Sequence, residues 1–239
     1  SHCCSHHRLS NHHRSCFEYS GRLLQSGKPA RRRLGCVCWT IRRISGIPTI
    51  RWKPAVDLPL GWCDWKGCES CFAEFGYQTV CIDKDQSRIN ELNNSKCPFY
   101  EPGVDTLLDK HLNKTKLLSF SNSLSKSIND ADIIFITVGT PSKRIEGEAD
   151  LSHVWNVAEE ISNNISKYCI VVTKSTVPVG TTKEVKSIIS KKIKEKNFDV
   201  VSNPEFLREG SALNDFMRPD RVVIGCENKK SEDIMRDLY

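Results

Sequence analysis

Residues 131–141 read ADIIFITVGTP, a mostly apolar run that stops at a glycine, a threonine and a proline. A nearly continuous apolar run predicts a strand buried on both faces, because a half-exposed strand would alternate apolar and polar side chains. Strands of this kind belong to parallel sheets that are covered by helices. This stretch therefore indicates an α/β fold.

Strand-like and helix-like patches alternate on both sides of this run. The other predicted strands are 79–82, 117–120, 169–173, 198–202 and 221–225. Helical spacing of apolar residues marks 151–165, where Asp150 can act as the cap, and 181–193, where Thr181 and Glu184 have the spacing of a capping box. The alternation predicts a Rossmann-like, doubly wound, mostly parallel sheet, in which ligands bind beyond the carboxyl ends of the strands.

The first 70 residues differ from the rest of the chain in composition. Residues 1–70 hold 12 Lys and Arg against 4 Asp and Glu, whereas residues 71–239 hold 23 against 25. Residues 1–70 also lack any sustained periodicity. We therefore expect residues 1–70 to be irregular or disordered, and residues 71–239 to form the α/β domain.

The bulk sequence favours a cytoplasmic protein without a membrane span. It has no run of 18 apolar residues and no apolar signal-peptide core, and the five cysteines from Cys71 onward show no pairing pattern.

A basic, His- and Cys-rich segment that binds nucleic acid or zinc is the non-enzymatic alternative. Its zinc ligands would be His2, Cys3, Cys4, His6, His7, His12, His13 and Cys16. Their spacing matches no standard zinc finger, so no metal site is predicted and nucleic acid is a weak candidate.

Asp83 directly follows the predicted strand at 79–82. A carboxylate at this position can accept hydrogen bonds from both ribose hydroxyls of an adenosine, and it repels a 2′-phosphate. This favours NAD over NADP, although Lys84 and Arg88 nearby weaken that preference. An ordinary turn or cap aspartate is the alternative interpretation.

Two further strand ends carry small and hydroxylated residues, Val138-Gly139-Thr140-Pro141 and Ser175-Thr176. Backbone N–H groups and hydroxyls in such turns suit contacts with phosphate, ribose or nicotinamide. Helix capping and turn formation are the alternative roles for either stretch alone.

Residues 203–210, NPEFLREG, place Glu205 and Glu209 four residues apart just after a strand. On a helical turn the two carboxylates would share one face, and their proximity would raise one pKa, as a general base requires. The alternative is a solvent-facing helix start whose acidic residues favour the helix dipole.

Taken together, these stretches resemble the UDP-glucose/GDP-mannose dehydrogenase family. The matching pieces are CFAEFGYQTVCIDKD (71–85), PFYEPGVDTLL (98–108), ADIIFITVGTP (131–141), GEADLSHV (147–154), VVTKSTVPVGTT (171–182) and DVVSNPEFLREGSALNDFMRPDRVVIG (199–225). The resemblance implies NAD-dependent oxidation of UDP-glucose to UDP-glucuronate, in two hydride transfers through a cysteine thioester. Residues 100–103 and 219–221 favour the UDP-glucose branch over the GDP-mannose branch. GDP-mannose or a UDP-hexosamine is the alternative substrate, and another β-hydroxyacid-type NAD dehydrogenase is a weaker alternative.

The resemblance also assigns roles to residues of this chain. Contacts with NAD are implied for Asp83, Arg88, Val138, Gly139, Thr140, Pro141, Ser175, Thr176 and Glu209. Contacts with the sugar nucleotide are implied for Glu205, Phe206, Leu207, Arg208 and Glu209. Glu205 is the implied acid/base carboxylate of thioester hydrolysis, helped by Thr176 and a water.

The chain departs from the family pattern in two places. The family's glycine-rich phosphate loop is not matched upstream of Cys71, because Gly61 and Gly67 miss its glycine positions, so we expect a sheet that is incomplete at its N-terminal βα unit. A reading-frame error or a foreign fusion would explain the abrupt break, and an intact frame in several independent gene clones would contradict it. The family's nucleophilic cysteine, its catalytic lysine and most of its UDP-sugar pocket are expected beyond Tyr239. Most of its dimer contacts, which imply a homo-oligomer, are expected there as well.

The expected position of the catalytic cysteine and lysine beyond Tyr239 leads to a prediction about activity. Without those cysteine and lysine side chains, the 239-residue chain should show no dehydrogenase activity by itself. Incubation of the purified chain with NAD and UDP-glucose, followed by measurement of NADH absorbance, tests this. Formation of NADH that depends on UDP-glucose would show the prediction to be wrong.

Overall fold

The computed structural model describes residues 68–97, 100–128, 131–140 and 149–239, together with the backbone of residues 15–19 and 49–54. Within these residues the strands are β1 (Ser15–Tyr19), β2 (Thr49–Pro54), β3 (Gln78–Ile82), β4 (Leu118–Ser121), β5 (Ile133–Thr137), β6 (Cys169–Thr173), β7 (Phe198–Ser202) and β8 (Val222–Cys226). The α-helices are α1 (Cys68–Glu74), α2 (Gln86–Asn93), α3 (Val104–Asp109), α4 (Leu124–Ile128), α5 (Ser152–Asn164), α6 (Thr181–Ser190), α7 (Ala212–Met217) and α8 (Lys229–Leu238). A π-helical turn (Lys110–Lys114) follows α3, and a 3₁₀ turn (Glu195–Asn197) precedes β7.

The strands form one sheet in the order β1-β8-β7-β6-β5-β2-β3-β4. From β7 to β4 all neighbours are parallel, whereas β8 pairs antiparallel with β7 and with β1. The parallel part has the strand order 3-2-1-4-5-6 that is typical of dinucleotide-binding folds. The predicted doubly wound α/β sheet is confirmed. The last predicted strand also forms, but it runs antiparallel.

The apolar runs of β5 and β6 are buried along their whole length. Alternate residues of β5 contribute to two separate cores, because successive side chains of a strand point to opposite faces. Ile133 and Phe135 join the core that contains Phe72 of α1, while Ile134 and Ile136 join the core that contains residues of α5 and α6. Helices on both faces thus explain why these strands lack polar alternation.

The position between β3 and β5 is filled by β2, where we expected a gap. Thr49–Trp52 pairs in parallel with Gln78–Cys81, and Ile50–Pro54 pairs in parallel with Ile133–Thr137. We expected residues 1–70 to be irregular, and the structure differs from this expectation at β1 and β2. Of these two strands, β2 is the first parallel strand of the sheet. The proposed zinc ligands and the loop glycines Gly61 and Gly67 lie outside the described residues, apart from the backbone of Cys16.

The helix starts differ in detail from the sequence prediction. The capping box at Thr181 and Glu184 is wrong, because Gly180, with φ of 100°, precedes α6 and the Thr181 hydroxyl donates instead to Pro178 O at 2.8 Å. The predicted cap at Asp150 is one residue off, because Leu151 is the residue that caps α5, although Asp150 accepts a hydrogen bond from the Ser152 backbone N–H at 2.9 Å. Among the described helices, none has both the length and the apolar character needed to cross a membrane.

Candidate functional site

Four loops meet at one edge of the sheet, because they all follow parallel strands that end there. Asp83 follows β3, residues 138–140 follow β5, residues 174–176 follow β6 and residues 203–210 follow β7. The strand order reverses between β2 and β5, which is where open α/β sheets bind their ligands. The predicted site residues therefore lie on both sides of this switch point.

Asp83 is a buried carboxylate at the end of β3, with 1% of its side chain exposed. Its Oδ1 accepts from the Asp85 N–H at 2.9 Å, and its Oδ2 pairs with Arg88 Nη1 at 2.6 Å. Asp85 caps α2 by accepting from the Ser87 and Arg88 N–H groups, which fixes the backbone beside Asp83. Lys84 instead pairs with Glu160 at 2.9 Å. The site thus has one carboxylate whose charge is balanced by a neighbouring, partly exposed guanidinium.

The loops after β5 and β6 are joined by side chain-to-backbone hydrogen bonds. The buried Ser175 hydroxyl donates to Val138 O at 2.6 Å, and the Thr140 hydroxyl donates to Thr176 O at 3.1 Å. The structure therefore brings together the two turns in which the sequence predicts cofactor contacts, with Gly139 and Thr140 half-buried and Thr176 exposed. Pro141 lies outside the described residues.

A pocket of about 480 Å³ opens beyond β6 and β7. Its lining residues are Lys174, Asn203, Pro204, Glu205, Phe206, Leu207, Arg208, Asn214, Asp215, Phe216, Arg218, Pro219, Asp220, Arg221, Val222 and Tyr239. Four of the five predicted sugar-nucleotide contacts, Glu205 to Arg208, therefore share one cavity. Glu209 is exposed and does not line it, and Asp83 lies on the opposite side of the switch point.

The expected helical turn that would pair Glu205 with Glu209 does not form. Residues 203–208 have no helical structure, and α7 begins only at Ala212. Each end of the segment is held by contacts that a helix would break. Asn203 donates from its amide to Val223 O at 2.9 Å, while Asp215 accepts from the N–H, Nε and Nη2 of Arg208 at 2.7–3.0 Å. We call this clamped stretch, residues 203–208, the β7 arch.

Asn203, Lys174 and Tyr239 form the base of the pocket. The sequence did not predict them as site residues. The Asn203 side-chain oxygen accepts from the Lys174 ammonium at 3.3 Å and from the Tyr239 hydroxyl at 2.6 Å. The Asn203 N–H donates to Thr173 O at 2.9 Å, so this fully buried residue ties the β7 arch to the end of β6. The only signal in the sequence is an Asn-Pro pair directly after a strand, which indicates a turn without indicating its contacts.

Glu101 supports the β7 arch from behind. This buried carboxylate accepts from the Leu213 N–H at 3.3 Å, at the start of α7, and α7 carries the Asp215 that holds Arg208. Gly103 has φ of 89°, and a Cβ there would lie 3.0 Å from Leu213 Cδ2. The turn at Glu101–Gly103 therefore needs both a carboxylate and a glycine to let α7 pack against it.

The described residues fit a dinucleotide. A carboxylate follows β3 at the position where folds of this strand order bind a ribose, and turns with hydroxyl side chains follow β5 and β6 across the switch point. The residues on the β6 and β7 side instead form a polar cavity suited to a second ligand. The edge can thus hold a cofactor and a polar substrate side by side.

Comparison with protein families gives a match over most of the chain. The model of the UDP-glucose/GDP-mannose dehydrogenase family, NAD binding domain, matches residues 67–239. UDP-glucose 6-dehydrogenase of Rhizobium meliloti (strain 1021) is 46% identical over 171 residues, which cover 71% of this chain and 39% of that protein. The chain therefore spans about two fifths of the length of this relative.

Solved structures give the same result. A UDP-glucose dehydrogenase from Pyrobaculum islandicum superposes with a TM-score of 0.74 and 34% identity, over 82% of this chain and 45% of that one. A GDP-mannose dehydrogenase from Pseudomonas aeruginosa superposes with a TM-score of 0.72 and 32% identity, over 81% of this chain and 44% of that one.

Proposed function

We propose that this chain, which belongs to the UDP-glucose/GDP-mannose dehydrogenase family, supplies the NAD-binding part of a UDP-glucose 6-dehydrogenase. In this proposal the whole enzyme oxidises the C6 alcohol of UDP-glucose to the carboxylate of UDP-glucuronate. NAD, when bound, accepts the hydrides of that oxidation. A cytoplasmic location goes with this proposal, and the described cysteines are present as thiols. We also propose that the whole enzyme is a homo-oligomer.

The observation that carries the proposal is the position of Asp83. It places a carboxylate beyond the second strand of a 3-2-1-4-5-6 sheet, next to the switch point, where a ribose of the dinucleotide binds in folds of this order. A carboxylate at this position favours NAD, because it would repel the 2′-phosphate of NADP.

The other residues divide between cofactor and substrate in the same proposal. Residues 138–140, Ser175 and Thr176 would contact the phosphate and nicotinamide parts of NAD, and Arg88 the adenosine side. Glu205 would take a proton from the water that hydrolyses the thioester, with help from Thr176, since Glu205 lines the pocket and is only half-buried. Phe206, Leu207 and Arg208 of the β7 arch would bind the sugar nucleotide, and Glu209, outside the pocket, would lie towards the cofactor.

GDP-mannose is the second candidate substrate, because the GDP-mannose dehydrogenase structure superposes almost as well as the UDP-glucose dehydrogenase structure. Competition of the two nucleotide sugars for binding to the chain separates the candidates. Tighter binding of GDP-mannose than of UDP-glucose would favour this alternative.

The cofactor assignment is tested by the substitution Asp83→Asn. This change removes the charge that accepts the ribose hydroxyls, and a charge-assisted hydrogen bond contributes about 1.5–3 kcal/mol, so the NAD affinity should fall about tenfold or more. The affinity for NADP should stay constant or rise, because the substitution removes a carboxylate that repels the 2′-phosphate and leaves Arg88 paired with Asp85 at 3.8 Å. Isothermal titration calorimetry with NAD and NADP gives both affinities.

The matched control is Asp85→Asn, which changes the same charge two residues away. Asparagine caps helices as well as aspartate does, so the start of α2 should be kept. If this control loses as much NAD affinity as Asp83→Asn, or if the unsubstituted chain does not bind NAD, the cofactor assignment is wrong.

A further inference from the structure

Glu69 is a buried carboxyl group in the first turn of α1. It has 0% exposure, and its Oε1 accepts a hydrogen bond from the Ser70 hydroxyl at 3.4 Å. Its Oε2 has no hydrogen-bond partner among the described residues. An unsatisfied carboxyl oxygen in the interior costs free energy, so a position that keeps one needs a physical explanation.

The direction of α1 places Glu69 towards the edge of the sheet where the four loops meet. α1 ends at Glu74, shortly before β3 begins at the opposite edge, so its first turn points towards the loops. The ring of Phe72 lies 5.1 Å from that of Phe216 and 5.9 Å from that of Tyr239, and the latter two residues line the pocket. Glu69 precedes Phe72 in the same helix, which puts it about one helical turn closer to that edge.

The diphosphate of the proposed cofactor would lie over this part of the sheet. In the proposed function the adenosine ribose binds beside Asp83, after β3, and the nicotinamide end lies towards Ser175 and Thr176, after β6. The diphosphate joins these two ends, so it lies beyond β2 and β5, at the switch point between them. α1 lies between β2 and β3 in the chain and packs against β3. Its first turn is therefore the part of α1 nearest to the diphosphate.

The cations near α1 pair with carboxylates other than Glu69. The charged contacts there are those of Lys110 and His111 with Glu74, of Lys114 with Asp109, and of Arg208 with Asp215. The other titratable side chains on α1 and on the segments packed against it are Cys71, Cys81, Glu101 and Asp105. Within the part of the chain that the structure describes, no ion pair therefore balances the charge of Glu69.

A negative charge close to a diphosphate opposes its binding, and burial keeps water and salt from screening that charge. We propose that Glu69 determines the affinity for the cofactor, because its charged carboxylate opposes binding of the diphosphate and its neutral acid form allows it. This inference rests on the proposed function.

The two forms of Glu69 interconvert near neutral pH, because burial raises the pKa of this carboxyl group to about 7. The affinity for NAD should therefore be highest below this pKa and should fall as pH rises through it. A ligand that prefers the protonated form also takes up protons when it binds near that pKa. The inference thus predicts two observations, a falling affinity and an uptake of protons.

Isothermal titration calorimetry of the 239-residue chain with NAD tests both. The unsubstituted chain should bind NAD about fivefold or more tightly at about pH 6 than at about pH 8.5. At about pH 7 the heat of binding should depend on the ionisation enthalpy of the buffer, which measures proton uptake. Glu69→Gln keeps the shape of the side chain but cannot titrate. It should bind NAD with the higher affinity at both pH values and without this proton uptake.

Glu74→Gln is the matched control, because it removes the same charge from the same helix at the end away from the loops. It also removes the carboxylate that contacts His111, so it separates any titration of that pair from the titration of Glu69. This control should keep both the pH dependence and the proton uptake. A pH dependence that persists in Glu69→Gln, or one that is lost equally in Glu74→Gln, overturns the inference. If Glu69→Gln proves unfolded by circular dichroism, the unsubstituted chain decides, since NAD binding without proton uptake at about pH 7 overturns the inference as well.

The same titrations separate this inference from the proposal on which it rests. A chain that binds NAD through Asp83 with equal affinity at both pH values has lost only the role of Glu69. A chain that binds no NAD at either pH, in the unsubstituted form and as Glu69→Gln, contradicts both.

Discussion

Replacing Glu69 with glutamine should stabilise the folded chain by about 3 kcal/mol at pH 8 and should change its stability little at pH 4. Glu69 is fully buried at the start of α1, and burial raises its pKa from 4.5 to about 7, against the smaller lowering effects of its own backbone N–H and the Ser70 hydroxyl. Its Oε1 accepts from Ser70 Oγ at 3.4 Å, while Oε2 has no hydrogen-bond partner among the described residues.

The sign of the effect follows from the raised pKa. Between pH 4.5 and about 7, the unfolded chain releases the Glu69 proton while the folded chain keeps it, so the free energy of unfolding falls as pH rises through this range. Each pKa unit corresponds to about 1.4 kcal/mol, which gives the figure of about 3 kcal/mol above pH 7. Glutamine does not titrate and therefore lacks this loss. Urea denaturation at several pH values measures the difference.

Glu74→Gln, on the same helix, is the contrasting control. Burial by itself would raise the pKa of Glu74, but hydrogen bonds from Lys110 and His111, at 2.6 and 2.8 Å, outweigh burial and lower it. Glu74 therefore stabilises the fold above its unfolded pKa, and this contribution is lost as pH falls. Its substitution should destabilise the chain at pH 8. The explanation for Glu69 would be wrong if both substitutions changed stability in the same direction.

Replacing Phe72 with alanine should lower the free energy of unfolding by about 3–5 kcal/mol. Phe72 has 0% exposure, and its ring centroid lies 5.2 Å from that of Phe135 in β5 and 5.1 Å from that of Phe216 in α7. A further contact, at 5.9 Å, reaches Tyr239. Alanine would leave a cavity that these three rings can fill only in part. Urea denaturation followed by circular dichroism measures the loss.

Two controls sharpen this prediction. Phe72→Leu keeps most of the buried volume and should cost clearly less than Phe72→Ala. Phe206→Ala truncates a ring that is 64% exposed on the β7 arch, so it should change stability by no more than about 0.5 kcal/mol. A loss in Phe72→Ala no larger than that in Phe206→Ala would contradict the packing described for the aromatic cluster.

The parallel strands were predictable because burial on both faces leaves a plain apolar signal. The predicted strands 169–173 and 198–202 agree with the bounds of β6 and β7. The sequence of β2, TIRWKP, contains two basic residues and a proline and so gives no such signal. Its place is determined by pairing with β3 and β5, which local sequence does not encode.

The positions of the candidate site residues were predictable, but their contacts were not. Asp83, Thr140, Thr176 and Glu205 follow strands whose parallel arrangement brings their ends to one edge. The predicted helical turn at 205–209 does not form, because the contacts of Asn203 with Val223 and of Arg208 with Asp215 override local spacing. Lys174 was missed because its burial against Phe216 depends on packing between elements far apart in the chain.

The strand order has a consequence for how this protein can change over evolution or in the laboratory. Three strands lie between β3, which carries Asp83, and β7, which carries the arch, so four inter-strand spacings of about 4.8 Å put roughly 19 Å between them. Substitutions at that distance usually act additively. If the proposed function holds, selectivity for the dinucleotide and selectivity for the sugar can therefore be altered in separate rounds of mutation, each without undoing the other.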